Sequence, residues 1–344
     1  MSTSPLLLRA LRGEPLPRPP VWAMRQAGRW DPLFRQRRGG RSFYDFVSDS
    51  RLAAEVSLLP ARFGVDAIIL FYDITTLAQA MGVGFEMRVE SGPMPIVPVV
   101  SEGQVRKLDG EPDAEKFRCV LDTLALVRSA LAESQANAAA TRLPILVFAG
   151  APFTLASYCI GTGKDVAATC RFAAEHPGVF DLLLDKLESA TIHFVRTLLR
   201  QGADAWQLFD SWAGRLSPEE YQRWALPYHQ RIFRAVGEAP GILFVKECPY
   251  PDWLVRSGAA AVSLGTRHDL AALRQQYPQV VFQGNVDARL LADGTPAQVI
   301  RATQQCIRAG GKCRHIVNLN HGVEPHTPVE NFAAFIATVS GAEV

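Results

Sequence analysis

Pro20-Val21-Trp22-Ala23-Met24-Arg25-Gln26-Ala27-Gly28-Arg29 is an apolar run between prolines and a pair of arginines. Its first half reads as a buried strand, short and bounded by turn-formers. Two guanidiniums therefore leave the carboxyl end of a core strand within one turn of each other, with the small Ala27 and Gly28 between them leaving the backbone bare. Each guanidinium is a fixed fork of donors that matches a carboxylate or phosphate at two points, so the pair suits a ligand with several acid groups. An isolated Arg-x-x-x-Arg more often pairs with surface acids. The weight given to this one depends on what the rest of the chain sets beside it.

Further apolar runs recur at Asp66–Asp73, Pro144–Gly150, Ala205–Ser211, Ile242–Lys246, Ala260–Gly265, Val280–Asn285 and His315–His321. With the first run these make eight strand candidates. Amphipathic stretches of helical length lie between most of them, among them Phe43–Phe63, Ala114–Gln135, Pro177–Gln201 and Ser217–Val236. Arg35–Arg41 reads as a polar loop. Phe85–Val100, with Ser91-Gly92-Pro93 inside it, reads as a hairpin-like excursion. Eight near-continuous apolar strands alternating with helices predict an α/β chain folded as a single (β/α)8 barrel of the TIM type over residues 1–344, with a short amino-terminal extension of about residues 1–19. An open sheet of two α/β halves is the alternative. No Gly-x-Gly-x-x-Gly follows the first strand.

Composition narrows the function. The 344 residues are 48% hydrophobic and carry a net charge of +2, which argues against nucleic-acid binding. Only six of the 36 basic residues are lysine, so arginine number alone identifies no anion site. Leu6-Leu7-Leu8 meets Arg9 at once and is too short for a signal core or a membrane span. Cys119, Cys159, Cys170, Cys248, Cys306 and Cys313 share no Cys-x-x-Cys spacing and read as reduced thiols of a cytoplasmic protein. His-x-Cys and His-Glu-x-x-His are absent as well, so no metal is expected.

In a parallel barrel the loops after the strands form the active face. The strand ends here carry Arg25 and Arg29, Asp73, Gly150-Ala151-Pro152, Asp210-Ser211, Lys246, Gln283-Gly284-Asn285 and Asn318-Leu319-Asn320-His321-Gly322. A cationic cluster, one or two carboxylates and a histidine thus converge on one mouth.

The combination of Arg25-Gln26-Ala27-Gly28-Arg29, Gly150-Ala-Pro-Phe-Thr-Leu155 with Tyr158, Gln207-Leu-Phe-Asp-Ser211 with Ala213-Gly214, Gln283-Gly-Asn285 and Asn318-Leu-Asn-His-Gly322 resembles the uroporphyrinogen decarboxylase family, in order from about Pro20 to Phe335. The resemblance implies a homodimeric carboxy-lyase without a metal or prosthetic group. It implies a tetrapyrrole substrate, uroporphyrinogen III, whose four acetate arms lose carbon dioxide to give coproporphyrinogen III in haem biosynthesis. It places Arg25 and Arg29, with Gln26, Ala27 and Gly28 between them, on substrate acid groups, and Arg38 less firmly on the same work. It directs Asp73 at the pyrrole N–H groups, where it would oppose the positive charge formed when a pyrrole carbon is protonated. It sets Tyr158, Ser211 and His321 on hydrogen bonds to substrate. Asp73, Arg25 and Arg29 are the catalytic candidates, although guanidinium is a poor acid and the source of the ring proton stays open. Taken alone, Asp73 reads equally as a helix N-cap before Ile74-Thr75-Thr76-Leu77.

Three positions depart from the family pattern. Leu33 stands where a glutamate is usual, Glu247 follows Lys246 where small residues are usual, and Asn320 replaces a glycine. The Asn320 change is tolerable if the position is left-handed, a conformation asparagine enters readily. Two other readings remain beside the decarboxylase: a related barrel methyltransferase acting on corrinoid or thiol substrates, which needs a zinc-thiolate site, and a tetrapyrrole carrier without turnover.

Overall fold

The computed structural model describes residues 4–88, 92–138, 142–237 and 239–342. Seven parallel strands form one sheet: β1 (Ile68–Ile69), β4 (Ile145–Gly150), β5 (Ala205–Asp210), β6 (Gly241–Val245), β7 (Ala261–Ser263), β8 (Val281–Gln283) and β9 (His315–Ile316), adjacent in that order. β2 (Phe85–Arg88) and β3 (Gly92–Pro95) pair antiparallel as the expected hairpin, and Ser91 lies outside the described residues.

The first apolar run is not a regular strand. Val21 forms a single parallel bridge with Val317, Val317 N–H donates to Pro20 O at 2.9 Å, and on the other side Asp66 N–H donates to Val21 O at 2.7 Å. This segment therefore touches both edges of the sheet. Its ladder stops there for a covalent reason, because Pro19 and Pro20 have no N–H to donate and Ala23 N–H turns to the Gln26 side chain at 3.1 Å. Several other runs also leave the ladder early, so Asp66–Asp73 contributes two ladder residues and His315–His321 two.

Alternation assigns the two faces. Trp22, Met24, Ala67, Ile69, Leu146, Ala205, Ile242, Phe244, Ala261, Val281 and Ile316 gather in one buried cluster inside the curl of the sheet. Their outward neighbours Val147, Leu208, Leu243, Val262, Phe282 and Val317 pack in a second cluster beneath the helices. Burial on both faces is why these strands read as continuous apolar runs. Inside, a polar layer is matched donor to acceptor: Trp22 Nε1 donates to Gln283 Oε1 (3.0 Å), and Gln283 Nε2 donates to Gln207 Oε1 (3.0 Å). The amino-terminal extension carries α1 (Leu6–Leu11), whose Leu7, Ala10 and Leu11 join the interior cluster.

Local punctuation corrects several long helices. Arg35–Arg41 is mostly not a loop: α2 spans Pro32–Arg38, with the Asp31 carboxylate accepting from Leu33 N–H at 3.0 Å and Pro32 opening the helix. Asp-Pro is a start signal that the reading by charge passed over. Phe43–Phe63 divides into α3 (Phe43–Ser48), α4 (Ser50–Leu58) and a 3₁₀ turn, because Asp49 caps α4 through Arg51 and Leu52 N–H. Ser217–Val236 breaks at Ala225, ahead of Pro227.

Candidate active site

The first and last motifs interlock. Asn318 Oδ1 accepts from Met24 N–H at 3.3 Å and from Leu319 N–H at 2.7 Å, and Val323 N–H donates to Met24 O at 2.8 Å. Arg25 follows with φ +60°, uncommon for a residue with a side chain. That turn sends its stem across to the last motif. A Cβ on Gly322 would stand 2.4 Å from Arg25 Cδ, so glycine is required there for the arginine to pass.

Within the first motif the roles separate. Gln26 is fully buried, and its amide is used twice on backbone, by Ala23 N–H and by Ala67 O (2.9 Å). It fastens the segment to β1 and presents no free polar atom. Ala27 is packed inward at 8% exposure. Gly28 is a packing requirement, since a Cβ would lie 2.8 Å from Arg25 O and 3.3 Å from the Trp30 ring. The backbone between the arginines is therefore not bare. Arg25 is exposed to water yet deep among protein atoms, as a side chain lining a concave mouth must be. That desolvation lowers its pKa, with Glu324 opposing the shift and Arg29 adding to it. Arg29 is exposed. Arg38 ends α2, and none of the contacts joining the other candidates includes it.

Asp73 follows β1 at 8% exposure. Its carboxylate accepts from the Thr75 hydroxyl. Thr75, not Asp73, is the N-cap of α5 (Thr76–Ala80). Burial raises the Asp73 pKa, partly offset by Thr75 and by the N–H groups of Thr75 and Ile74, and no basic side chain among the described residues pairs with it. Asp73 in turn acts on two phenols. Burial and its charge push Tyr158 and Tyr44 each up to about 12, so both stay protonated donors. Tyr44 was not anticipated; it enters from α3, far from any strand end.

The floor of the mouth is aromatic. Tyr72 stacks on Phe148 (4.1 Å between centroids), Phe148 meets Phe209 (5.4 Å), Phe209 meets Phe244 (5.3 Å) and Phe244 meets His321 (6.2 Å). Period-two alternation along β4, β5 and β6 was the signal that could have found it. His321 is neutral: burial, then Arg25 and Lys246, lower its pKa to about 3. Ser211 is half-buried just beyond β5, where the adjacent Trp212 ring lies 6.3 Å from Tyr158. Asp210 turns away from the mouth. It is buried, accepting from Thr154 Oγ1 at 2.6 Å and pairing with His229 Nε2 at 2.8 Å.

Two departures prove to be partners. Asn320 Nδ2 donates to Glu247 Oε1 at 2.9 Å. The left-handed residue is Glu247 (φ +47°) and not Asn320, whose side chain is wanted for this bond and for Ala288 N–H (2.8 Å). Leu33 is simply exposed on α2.

The family model described as uroporphyrinogen decarboxylase (URO-D) matches residues 2–342. The chain belongs to the uroporphyrinogen decarboxylase family. Among curated family members, the uroporphyrinogen decarboxylase of Christiangramia forsetii is 36% identical over 348 residues, covering 98% of each chain. One from Thermus thermophilus is 37% identical over 334 residues, covering 95% of this chain and 94% of the relative. Among solved structures, a methyltransferase from Methanosarcina mazei superposes with a TM-score of 0.76 at 18% identity, covering 97% of both chains; at that identity the likeness concerns the fold. Among the described residues no three His, Cys, Asp or Glu side chains stand together as a metal site.

Proposed function

We infer that this mouth removes the four acetate carboxyls of uroporphyrinogen III to give coproporphyrinogen III, as a carboxy-lyase of porphyrin and haem biosynthesis. One observation carries the reading. Among the described residues Asp73 is a buried carboxylate without a basic partner, Arg25 is a cation lining the mouth without a hydrogen-bonded anion, and both act on the Tyr158 hydroxyl. Such a pair fits a ligand that is itself acidic at its rim and becomes cationic at its centre.

The porphyrinogen rests on the aromatic floor with acid groups toward Arg25 and Arg29 and pyrrole N–H groups toward Asp73. Tyr158, Ser211 and His321 supply further hydrogen bonds. Protonation of a pyrrole carbon makes the ring an electron sink; the acetate C–C bond then breaks, carbon dioxide leaves, and the exocyclic methylene takes a proton to become methyl. Asp73 opposes the cation, which exists in the transition state and not in the bound substrate, so its charge acts on rate. No cofactor enters this account.

The same reading takes the chain as one (β/α)8 barrel, with residues 20–24 as the eighth stave, residues 1–19 as its extension and the homodimer as its assembly. The barrel is supported by the 20–22 backbone, which bonds to both sheet edges. No helix among the described residues is long and apolar enough to cross a membrane, and the six free cysteines suit a cytoplasmic site. Anaerobic incubation with uroporphyrinogen III, with and without a chelator, tests the function. Four-carboxyl product in both samples supports it; activity lost on chelation and restored by zinc favours the methyltransferase, and tight binding without carbon dioxide release favours the carrier.

A further inference from the structure

Lys246 is a charged residue that the decarboxylation account leaves unused. On β6 the inward residues are Ile242 and Phe244. Lys246 follows directly on the last residue of β6, and its charge acts on His321 and on Arg25, which puts it at the mouth near the Phe244–His321 contact. The sheet order sets β6 across from Arg25. β1, β4 and β5 separate it from the 20–24 segment on one side, and β7, β8 and β9 on the other.

The backbone around this lysine is pinned. A Cβ on Gly214 would stand 2.1 Å from Lys246 O, so the two loops fit only because Gly214 has none. Glu247 then turns left-handed, and its Oε1 accepts from Thr266 N–H (3.0 Å) and Asn320 Nδ2 (2.9 Å). Gly265 leaves room for that carboxylate, since a Cβ there would be 2.5 Å from Glu247 Oε2. The lysine so aimed is half-buried, with Arg25, Glu324, Glu247, Arg289 and His321 as its charged or titratable neighbours. It forms no ion pair or hydrogen bond among the described residues. A solvated lysine needs no such bracket. A half-buried ammonium that faces Arg25 across the mouth, and is hydrogen-bonded to neither Glu324 nor Glu247 among the described residues, is unfavourable until a further anion arrives.

We propose that Lys246 is a third cationic anchor, holding a substrate carboxylate across the mouth from Arg25 and Arg29, and that the Glu247–Asn320 bond is the bracket that positions it. The inference rests on the porphyrinogen reading, because only a ligand with acid groups spread around a ring engages cations on opposite sides at once. Lys246 then helps set specificity for a highly carboxylated macrocycle, and the two departures from the family pattern, Glu247 and Asn320, form one device.

Steady-state kinetics with uroporphyrinogen III under anaerobic conditions, at several salt concentrations, tests this. Lys246→Met keeps the stem and removes the charge. It is expected to raise KM about tenfold or more, with a smaller effect on kcat, and to flatten the rise of KM with salt. Lys246→Arg restores most of the loss, and Asn320→Gly moves KM the same way by less. An unchanged KM and salt slope in Lys246→Met overturns the proposal, as does a Lys246→Arg no better than Lys246→Met. If the wild type releases no carbon dioxide, the decarboxylase reading has failed; titration with uroporphyrin still judges the anchor, with weaker binding by Lys246→Met supporting it and equal binding overturning it.

Discussion

Gly322 and Arg25 occupy one space. A side chain on Gly322 would fall 2.4 Å from Arg25 Cδ, 2.6 Å from Cγ and 2.9 Å from Nε. These are stem atoms of a residue whose backbone is already fixed at φ +60°, so the arginine can yield only by swinging its guanidinium out of the mouth. Gly322→Ala is accordingly expected to lower kcat/KM about a hundredfold, the scale of an ångström-sized misplacement in a site. Thermal unfolding should change little, which separates the effect from general damage.

That relationship also shows how far the sequence could be read. The order of elements was legible because strands buried on both faces are apolar throughout and the helices between them are amphipathic. The break in the first strand was harder to see, although Pro19 and Pro20 mark it. At the site, strand-end position singled out Arg25, Asp73 and His321 and the family motifs singled out Tyr158, and the structure sets these four within electrostatic reach of one another. Position and motifs did not show that the Gln26 amide is spent on backbone groups. Tyr44 and the Glu247–Asn320 bond depend on contacts between distant segments, which spacing along the chain does not encode.

Acid stability should depend on His321. Its pKa in the folded protein, about 3, lies below the ordinary 6.5, so the unfolded chain takes up the proton first and stability falls as the pH drops from 6.5 towards 3. At pH 5 this costs up to about 2 kcal/mol. Urea unfolding of His321→Asn should show a shallower loss between pH 7 and pH 5 than the wild type. His268 and His315, also lowered by burial, keep a residual slope in both proteins.

Asp210 should behave as a structural acid. Both oxygens are engaged, by Thr154 and His229, away from the mouth. Asp210→Asn is expected to cost about 2–3 kcal/mol in denaturant unfolding. The folded fraction should keep its KM for uroporphyrinogen III. A stable Asp210→Asn without activity would instead place this carboxylate in the chemistry.

Asp73 should show the opposite pattern. Its raised pKa means that the folded state holds the proton longer than the unfolded chain, so stability declines as the pH rises from 3.8 through the folded value. Asp73→Asn removes a charge that is poorly solvated at pH 8 and should raise the melting temperature there.

Single-turnover decarboxylation beside equilibrium binding, for wild type and Asp73→Asn, tests the central claim most directly. A carboxylate ~4 Å from the developing cation, at an effective dielectric of ~20, supplies ~4 kcal/mol, or roughly a thousandfold in rate. The account predicts carbon dioxide release and four-carboxyl product from the wild type, turnover lower by about that factor in Asp73→Asn, and binding that falls much less. Equal turnover by the two proteins would contradict it.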